Sequence, residues 1–459
     1  MLKHKSKLGL IIGILTAVII ANGNFDGLSA EGQLCLAFSL MTVIFWATNI
    51  AHPGYTSGFY LILLVIFNVA PAENVFSLWS SSVIYLVMGA YLIAGSVESS
   101  GLGERIAYNY LLRFVNSYNS IIVSIFVLTF ILSLLIPHPW PRAFLIMSVM
   151  AKIIKSANLN DSDSAKIGLT VFAASVPISM IFLTGDSTIN IMAVEFSGME
   201  LSWFGWLYNM GIPAALASIL TFFLIINFFK AEEKISFDRE QIRKKLRDMG
   251  AVTPLEKKTI LWISIAIILW MTDSIHGIEL GWVTLAVAML MSFPVIGGVL
   301  KSEDWKQVPV HVLIFLTAAV SIGRIGSLTG MNAWISSVVL PETVPGNLFL
   351  LAFMIAVVSI LLHMVLGSVI AVMGIAIPAF LVFAEGSGLN PLVPALLVYS
   401  SIALHYILPF HHLNILVGLG KENGLYSDRE VIKLGLPLTL IVFIIVFFEV
   451  VWWQITGLI

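Results

Sequence analysis

Residues Phe130 to Met147 read FILSLLIPHPWPRAFLIM. They lie inside an apolar run, 119–155, and break it near its middle with Pro137, His138, Pro139, Trp140, Pro141 and Arg142. Proline lacks the N–H that a helix interior needs, and its ring clashes with the preceding turn. The run therefore predicts two helical arms joined by a tip. A second apolar run, 346–385, breaks at Gly367 and Ser368, where glycine weakens a helix. Both runs predict re-entrant hairpins that enter and leave a membrane on one side. Irregular backbone at that depth is tolerated only where protein or a water-filled cavity covers it.

Outward from these breaks, the chain reads as an all-α integral membrane protein. Its 459 residues are 59% hydrophobic and 11% charged, with a mean hydropathy of +0.98. Soluble domains carry about 25% charged residues, so this chain has too little polar surface to cover itself in water. Eleven crossings fit, with cores near 8–22, 33–50, 56–71, 81–98, 165–195, 207–229, 258–274, 280–296, 308–326, 391–418 and 434–457. The first follows Lys3, Lys5 and Lys7 without a small-residue cleavage site, and reads as a membrane helix rather than a signal peptide. With a cytoplasmic N-terminus and two hairpins that do not cross, all of the 24 Lys and Arg except Arg142 and Arg324 fall on the cytoplasmic side. That asymmetry predicts a multi-pass cell-membrane protein with an external C-terminus. Trp203, Trp206, Trp452 and Trp453, near predicted span ends, read as an interfacial belt. Cys35 stands alone, which excludes an internal disulfide and a cysteine metal cluster. No nucleic-acid partner and no cofactor are expected.

The two halves match across a charged linker. Asn190 to Asn414 and Gly211 to Gly435 share one offset, 224 residues, each glycine opening a Gly-x-Pro. Gly101 pairs with Gly330 at an offset of 229. An odd number of crossings separates the copies, so the second is inverted. The expected organisation is N-terminal scaffold helices 1–80, a first repeat 81–229 holding the hairpin 119–155, a cytoplasmic linker 230–257, connecting helices 258–307, and a second repeat 308–459 holding the hairpin 346–385. Inverted repeats with broken helices belong to secondary transporters, whose substrates bind near the midplane where the breaks meet.

Trp46-Ala47-Thr48-Asn49-Ile50-Ala51-His52-Pro53, Gly101-Leu102-Gly103-Glu104-Arg105-Ile106-Ala107 and the run from Leu408 to Leu440 resemble the divalent-anion/sodium symporter family over nearly the whole chain. The resemblance implies a homodimer with scaffold and transport domains, an elevator motion, and a small anionic substrate, a di- or tricarboxylate. In that family the hairpin tips carry Ser-Asn-Thr, which binds carboxylate and sodium. Here the tips read His138-Pro139-Trp140-Pro141-Arg142 and Gly367-Ser368-Val369, so this is a divergent member. Asn190 and Asn414 are kept, and the resemblance places any sodium near them.

The polar residues at the breaks are the candidate substrate site: Arg142, His138, Ser187, Thr188, Asn190, Ser368, His411, His412 and Asn414. A guanidinium suits bidentate binding of a carboxylate, and a cation this deep costs roughly 2.5–3.5 kcal/mol on insertion scales. Arg142 therefore contacts substrate, pairs with Asp186 or a helix C-terminus, or snorkels. Asp186 pairs with Arg142, ligates a cation or carries a proton. His411 and His412 titrate near neutral pH and join Asp186 as candidate coupling groups, with proton, sodium or counter-substrate as the coupled species. His52, His363 and His405 read as structural. A cation/proton antiporter or channel using Asp186 and the loop histidines is the alternative. A membrane-embedded enzyme is remote, because no Asp-Asp-x-x-Asp or His-Glu-x-x-His run occurs.

Overall fold

The computed structural model describes residues 2–156, 159–228, 239–341, 343–385, 387–408, 411–419 and 425–459. Among them the regular structure is helical throughout. Seven helices are long and apolar enough to cross a membrane: Ala30–Thr48, Ser82–Ser99, Tyr118–Leu135, Trp203–Asn227, Val310–Leu328, Leu348–Leu366 and Asp428–Thr456. Five shorter apolar helices join them.

Each interrupted apolar run forms two helical arms. Tyr118–Leu135 turns back as Pro139–Ser156, and Leu348–Leu366 as Val369–Phe383. Their starts follow from capping. Ser117 and Ser120 exchange side-chain and backbone bonds, and the Asn347 carboxamide accepts the N–H groups of Phe349 and Leu350. Each satisfies donors that a helix start leaves free. The tips differ. The first places Pro139 at a helix start, where its missing N–H costs nothing. In the second, Gly367 takes the left-handed conformation (φ +61°) that ends an arm, and Ser368 caps the next.

The sequence reading runs one continuous crossing through 165–195. The structure corrects this to a broken helix: Asp161–Ser179, a 3-10 turn Leu183–Asp186, then Ile189–Ser197. Pro177 removes a ladder N–H just before the break. The Asn190 amide then donates to the carbonyls of Ser179, Phe182 and Leu183 at 2.9, 2.9 and 3.3 Å. The crossing expected at 391–418 is broken too, into Leu392–Ala403 and a 3-10 turn Leu413–Val417. The Gly-x-Pro after this second break has a steric reason, since a Cβ on Gly435 would collide with the Tyr406 carbonyl.

The halves repeat one order of elements. Gly101 and Gly330, at φ +78° and +77°, each hand a long helix over to a short one. Among the bonds that cross between the halves, two are reciprocal. Tyr399 Oη donates to Asn190 Oδ1, and Asn414 Nδ2 donates to Ser175 Oγ at 3.0 Å. Ser175 and Tyr399 stand 224 residues apart, as Asn190 and Asn414 do. Two partners exchanged in this way are the pattern of a two-fold relation.

Of the four tryptophans expected in an interfacial belt, Trp452 is partly exposed and the other three are not at the surface. Trp203, Trp206 and Trp453 are buried inside the protein. Their indole N–H groups donate to Thr184 Oγ1, the Met180 carbonyl and the Asn209 carbonyl at 3.1, 2.9 and 3.0 Å. Helix ends near the first break and the π-turn Leu207–Gly211 present polar groups that need buried donors. Of the linker, 230–238 lie outside the described residues, and Arg239–Asp248 is a short helix packed on Leu102–Phe114.

Candidate functional site

The first hairpin docks on the first break through backbone and guanidinium. The Ser187 N–H donates to the Pro137 carbonyl at 3.1 Å. Arg142 is fully buried. It donates to the carbonyls of Ile136 and Gly185 at 3.0 and 3.3 Å and to Ser179 Oγ at 2.5 Å. Ile136 ends the first arm, so the cation sits against a helix C-terminus, the favourable end of that dipole. Arg142 and Asp186 form no direct ion pair. Instead, Asp186 Oδ1 accepts the N–H groups of Thr188 and Ile189 at 3.0 and 3.1 Å, capping the resumed helix.

Three polar groups at this junction are buried without a hydrogen-bond partner among the described residues: Arg142 Nε, Ser187 Oγ and Thr188 Oγ1. All three can donate. A buried donor left unmatched costs about 1–3 kcal/mol, so this concentration marks a place that an acceptor fits. Asn190, by contrast, is fully engaged by Ser179, Phe182, Leu183 and Tyr399. His138 lies beside the site, its Nε2 3.0 Å from Tyr91 Oη and its Nδ1 accepting the Trp140 N–H at 3.2 Å. Trp140 is half-exposed and stacks on Phe144.

The second junction is built from different groups. Ser368 is half-buried and accepts the Ala371 N–H. His412 Nε2 lies 3.2 Å from the Ala403 carbonyl. His411 is buried and meets two residues that the sequence reading set aside as structural: its ring lies 4.4 Å from that of His363 and 5.2 Å from that of His405. These two, with Tyr399, Ser175 and Ser179, are the site residues the sequence reading missed. The repeat offset was a usable signal for Ser175 and Tyr399.

The breaks contact one another as well: Pro139–Ser156 packs on Leu413–Val417, and Ile189–Ser197 packs on Val369–Phe383. Both hairpins and both broken helices therefore share one centre. The family model for the sodium:sulfate symporter transmembrane region matches residues 3–459. The chain belongs to the sodium:sulfate symporter family. Within reach of it are a putative malate transporter, YflS, of Bacillus subtilis, 24% identical over 76% of this chain and 73% of its own. The sodium-dependent dicarboxylate transporter SdcS of Staphylococcus saprophyticus is 23% identical over 71% and 69%. Dicarboxylate transporter 1 of the spinach chloroplast is 27% identical over 85% and 71%. The crystal structure of the Alcanivorax borkumensis YdaH transporter matches 93% of this chain and 99% of its own, at 16% identity and a TM-score of 0.50. It speaks for the fold alone. This symporter family and these relatives are transporters, not enzymes, and the chain is a multi-pass membrane protein.

Proposed function

We propose that the protein is a secondary carrier of a small di- or tricarboxylate. The observation that carries the proposal is the set of three buried, unmatched donors, Arg142 Nε, Ser187 Oγ and Thr188 Oγ1, on one hairpin tip and the turn docked against it. A carboxylate has the acceptor lone pairs that they lack. The relatives named for malate and dicarboxylates support the substrate class.

The architecture of the proposal is the inverted repeat, supported by the reciprocal Asn190–Tyr399 and Asn414–Ser175 bonds. Eleven crossings and two hairpins, a cytoplasmic N-terminus, a homodimer and an elevator motion complete it. The domain limits are those of the sequence reading. Sodium as coupling ion fits the family's description; protons and counter-substrate are the other modes.

The test is uptake into proteoliposomes of labelled succinate, malate, citrate, 2-oxoglutarate and sulfate, under imposed sodium, proton or counter-substrate gradients. Saturable uptake of a dicarboxylate is the expected result. No saturable uptake of any of the five overturns the reading.

A further inference from the structure

The first hairpin tip touches a helix that belongs to neither hairpin and neither break. Ser82–Ser99 packs chiefly on Leu280–Ser292. From its middle Tyr91 reaches the tip. Its Oη lies 3.0 Å from His138 Nε2, and the two rings lie 4.7 Å apart.

The hydrogen in that contact can be placed. His138 Nδ1 accepts the Trp140 N–H at 3.2 Å, so a lone pair sits on Nδ1. A charged ring would have no lone pair to offer there, and in the neutral ring the other nitrogen carries the hydrogen. His138 Nε2–H therefore donates and Tyr91 Oη accepts. The phenol keeps its own O–H to give elsewhere. Among the described residues His138 is its one hydrogen-bond partner, so this O–H has no acceptor there.

Tyr91 thus adds a fourth unmatched donor to Arg142 Nε, Ser187 Oγ and Thr188 Oγ1. Short links tie it to those three. Pro137, the residue before His138, accepts the Ser187 N–H at 3.1 Å through its carbonyl. Arg142 follows His138 in the first turn of Pro139–Ser156. The charge of Asp186, which accepts the Thr188 N–H, acts on Tyr91. An ionised carboxylate only accepts, and its two oxygens offer about four lone-pair sites. Three donors leave one such site open.

We propose that Tyr91 is a substrate contact: its O–H donates to the carboxylate held at the first junction while its oxygen keeps the His138 bond. This deepens the transport reading above and rests on it. The contact comes from outside the hairpin and the break, so the bound anion is held between the tip and the helix Ser82–Ser99. The competing role for Tyr91 is a brace that does no more than orient His138.

The test uses the full-length protein in proteoliposomes, with counterflow of labelled for unlabelled succinate at equal sodium and pH on both sides. Tyr91→Phe is expected to raise KM roughly tenfold, the loss of one hydrogen bond to a charged acceptor. The same rise is expected on a His138→Ala background, where the brace is already gone. An unchanged KM overturns the contact, and so does a rise that vanishes on that background. The purified wild-type protein gives a second reading, by NMR of tyrosine labelled with 13C at Cζ. Succinate is expected to shift the signal that Tyr91→Phe lacks, and a signal unmoved by saturating succinate overturns the contact whether or not the variants transport. These outcomes leave the transport reading standing. Wild-type protein that exchanges none of the five anions overturns that reading, and the contact with it.

Discussion

The hairpin tips of the two halves meet their helix breaks with different chemistry on the same backbone plan. At the first, Arg142 reaches the carbonyls of Ile136 and Gly185 and the hydroxyl of Ser179. At the second, His363 faces His405 and His411. A guanidinium carries a fixed charge and only donates, whereas a neutral imidazole has one nitrogen that donates and one that accepts. The first junction thus holds a cation and the second a cluster of buried imidazoles. One backbone plan is thus equipped with different side chains at its two junctions. The breaks themselves serve both ends, since they free the polar groups that a continuous helix would bury in its own ladder.

The largest effect is expected from removing the fixed cation. Arg142→Ala leaves the Ile136 and Gly185 carbonyls without their donor, at about 1–3 kcal/mol for each. Uptake should fall below detection, and the melting temperature in detergent should drop. Arg142→Lys separates charge from geometry: an ammonium keeps the charge but not the planar fork. It should recover part of the stability and little of the uptake. Full uptake by Arg142→Lys would show that the first junction needs only a charge.

Ser187→Ala and Thr188→Val come next, and they split function from stability. Neither hydroxyl has a hydrogen-bond partner among the described residues, so deleting it removes a buried desolvation cost. The melting temperature should hold or rise. A hydrogen bond to a charged acceptor contributes about 1.5–3 kcal/mol, so KM should rise roughly tenfold or more. An unchanged KM would remove both hydroxyls from the site.

The two asparagines sharpen the comparison further. Asn190 makes four bonds, three of them to helix-end carbonyls, while the Asn414 amide is seen to donate to Ser175 alone. Asn190→Ala should therefore lower stability by about 2–3 kcal/mol and Asn414→Ala by about 1 kcal/mol, read as the difference between their unfolding midpoints. Equal losses would mean that the symmetry of the fold outweighs the asymmetry of the contacts.

Much of this centre was legible in the sequence because its features are local. Prolines clustered around Arg142, and glycine beside Ser368, break an apolar run wherever it folds. Asn190 and Asn414 announced themselves by their shared spacing. The histidine pair did not, because His363 and His405 lie 42 residues apart in apolar stretches that read as ordinary helix. Only the docking of one hairpin on one break brings them together. The tryptophans failed for a related reason. Position near a span end says nothing about whether a side chain points to lipid or into the protein, and buried Met180 and Asn209 carbonyls drew Trp206 and Trp453 inward.

The smallest expected effect lies outside the two junctions, where the linker is tied to the first half. Arg105 bonds Glu256 through Nε at 2.5 Å and Nη2 at 3.2 Å, and reaches the carbonyls of Gly250 and Met249 at 2.9 and 3.2 Å. Burial alone pushes the Glu256 carboxyl up, but the Arg105 bonds and the Thr253 N–H outweigh it and hold the carboxyl below its ordinary value. A depressed carboxyl stabilises the fold at pH values above its unfolded pKa, and that contribution is lost as pH falls through the lower, folded value. Acid should therefore loosen this tie only below the ordinary carboxylate range. Arg105→Ala should cost about 1–2 kcal/mol and shrink this acid-range component of the melting curve, the Thr253 N–H remaining. Hydrogen exchange across 243–256 should rise, and the KM for uptake should stay as in the wild type. A variant with an altered KM would mean that the linker, and not only the two junctions, controls how the carrier meets its substrate.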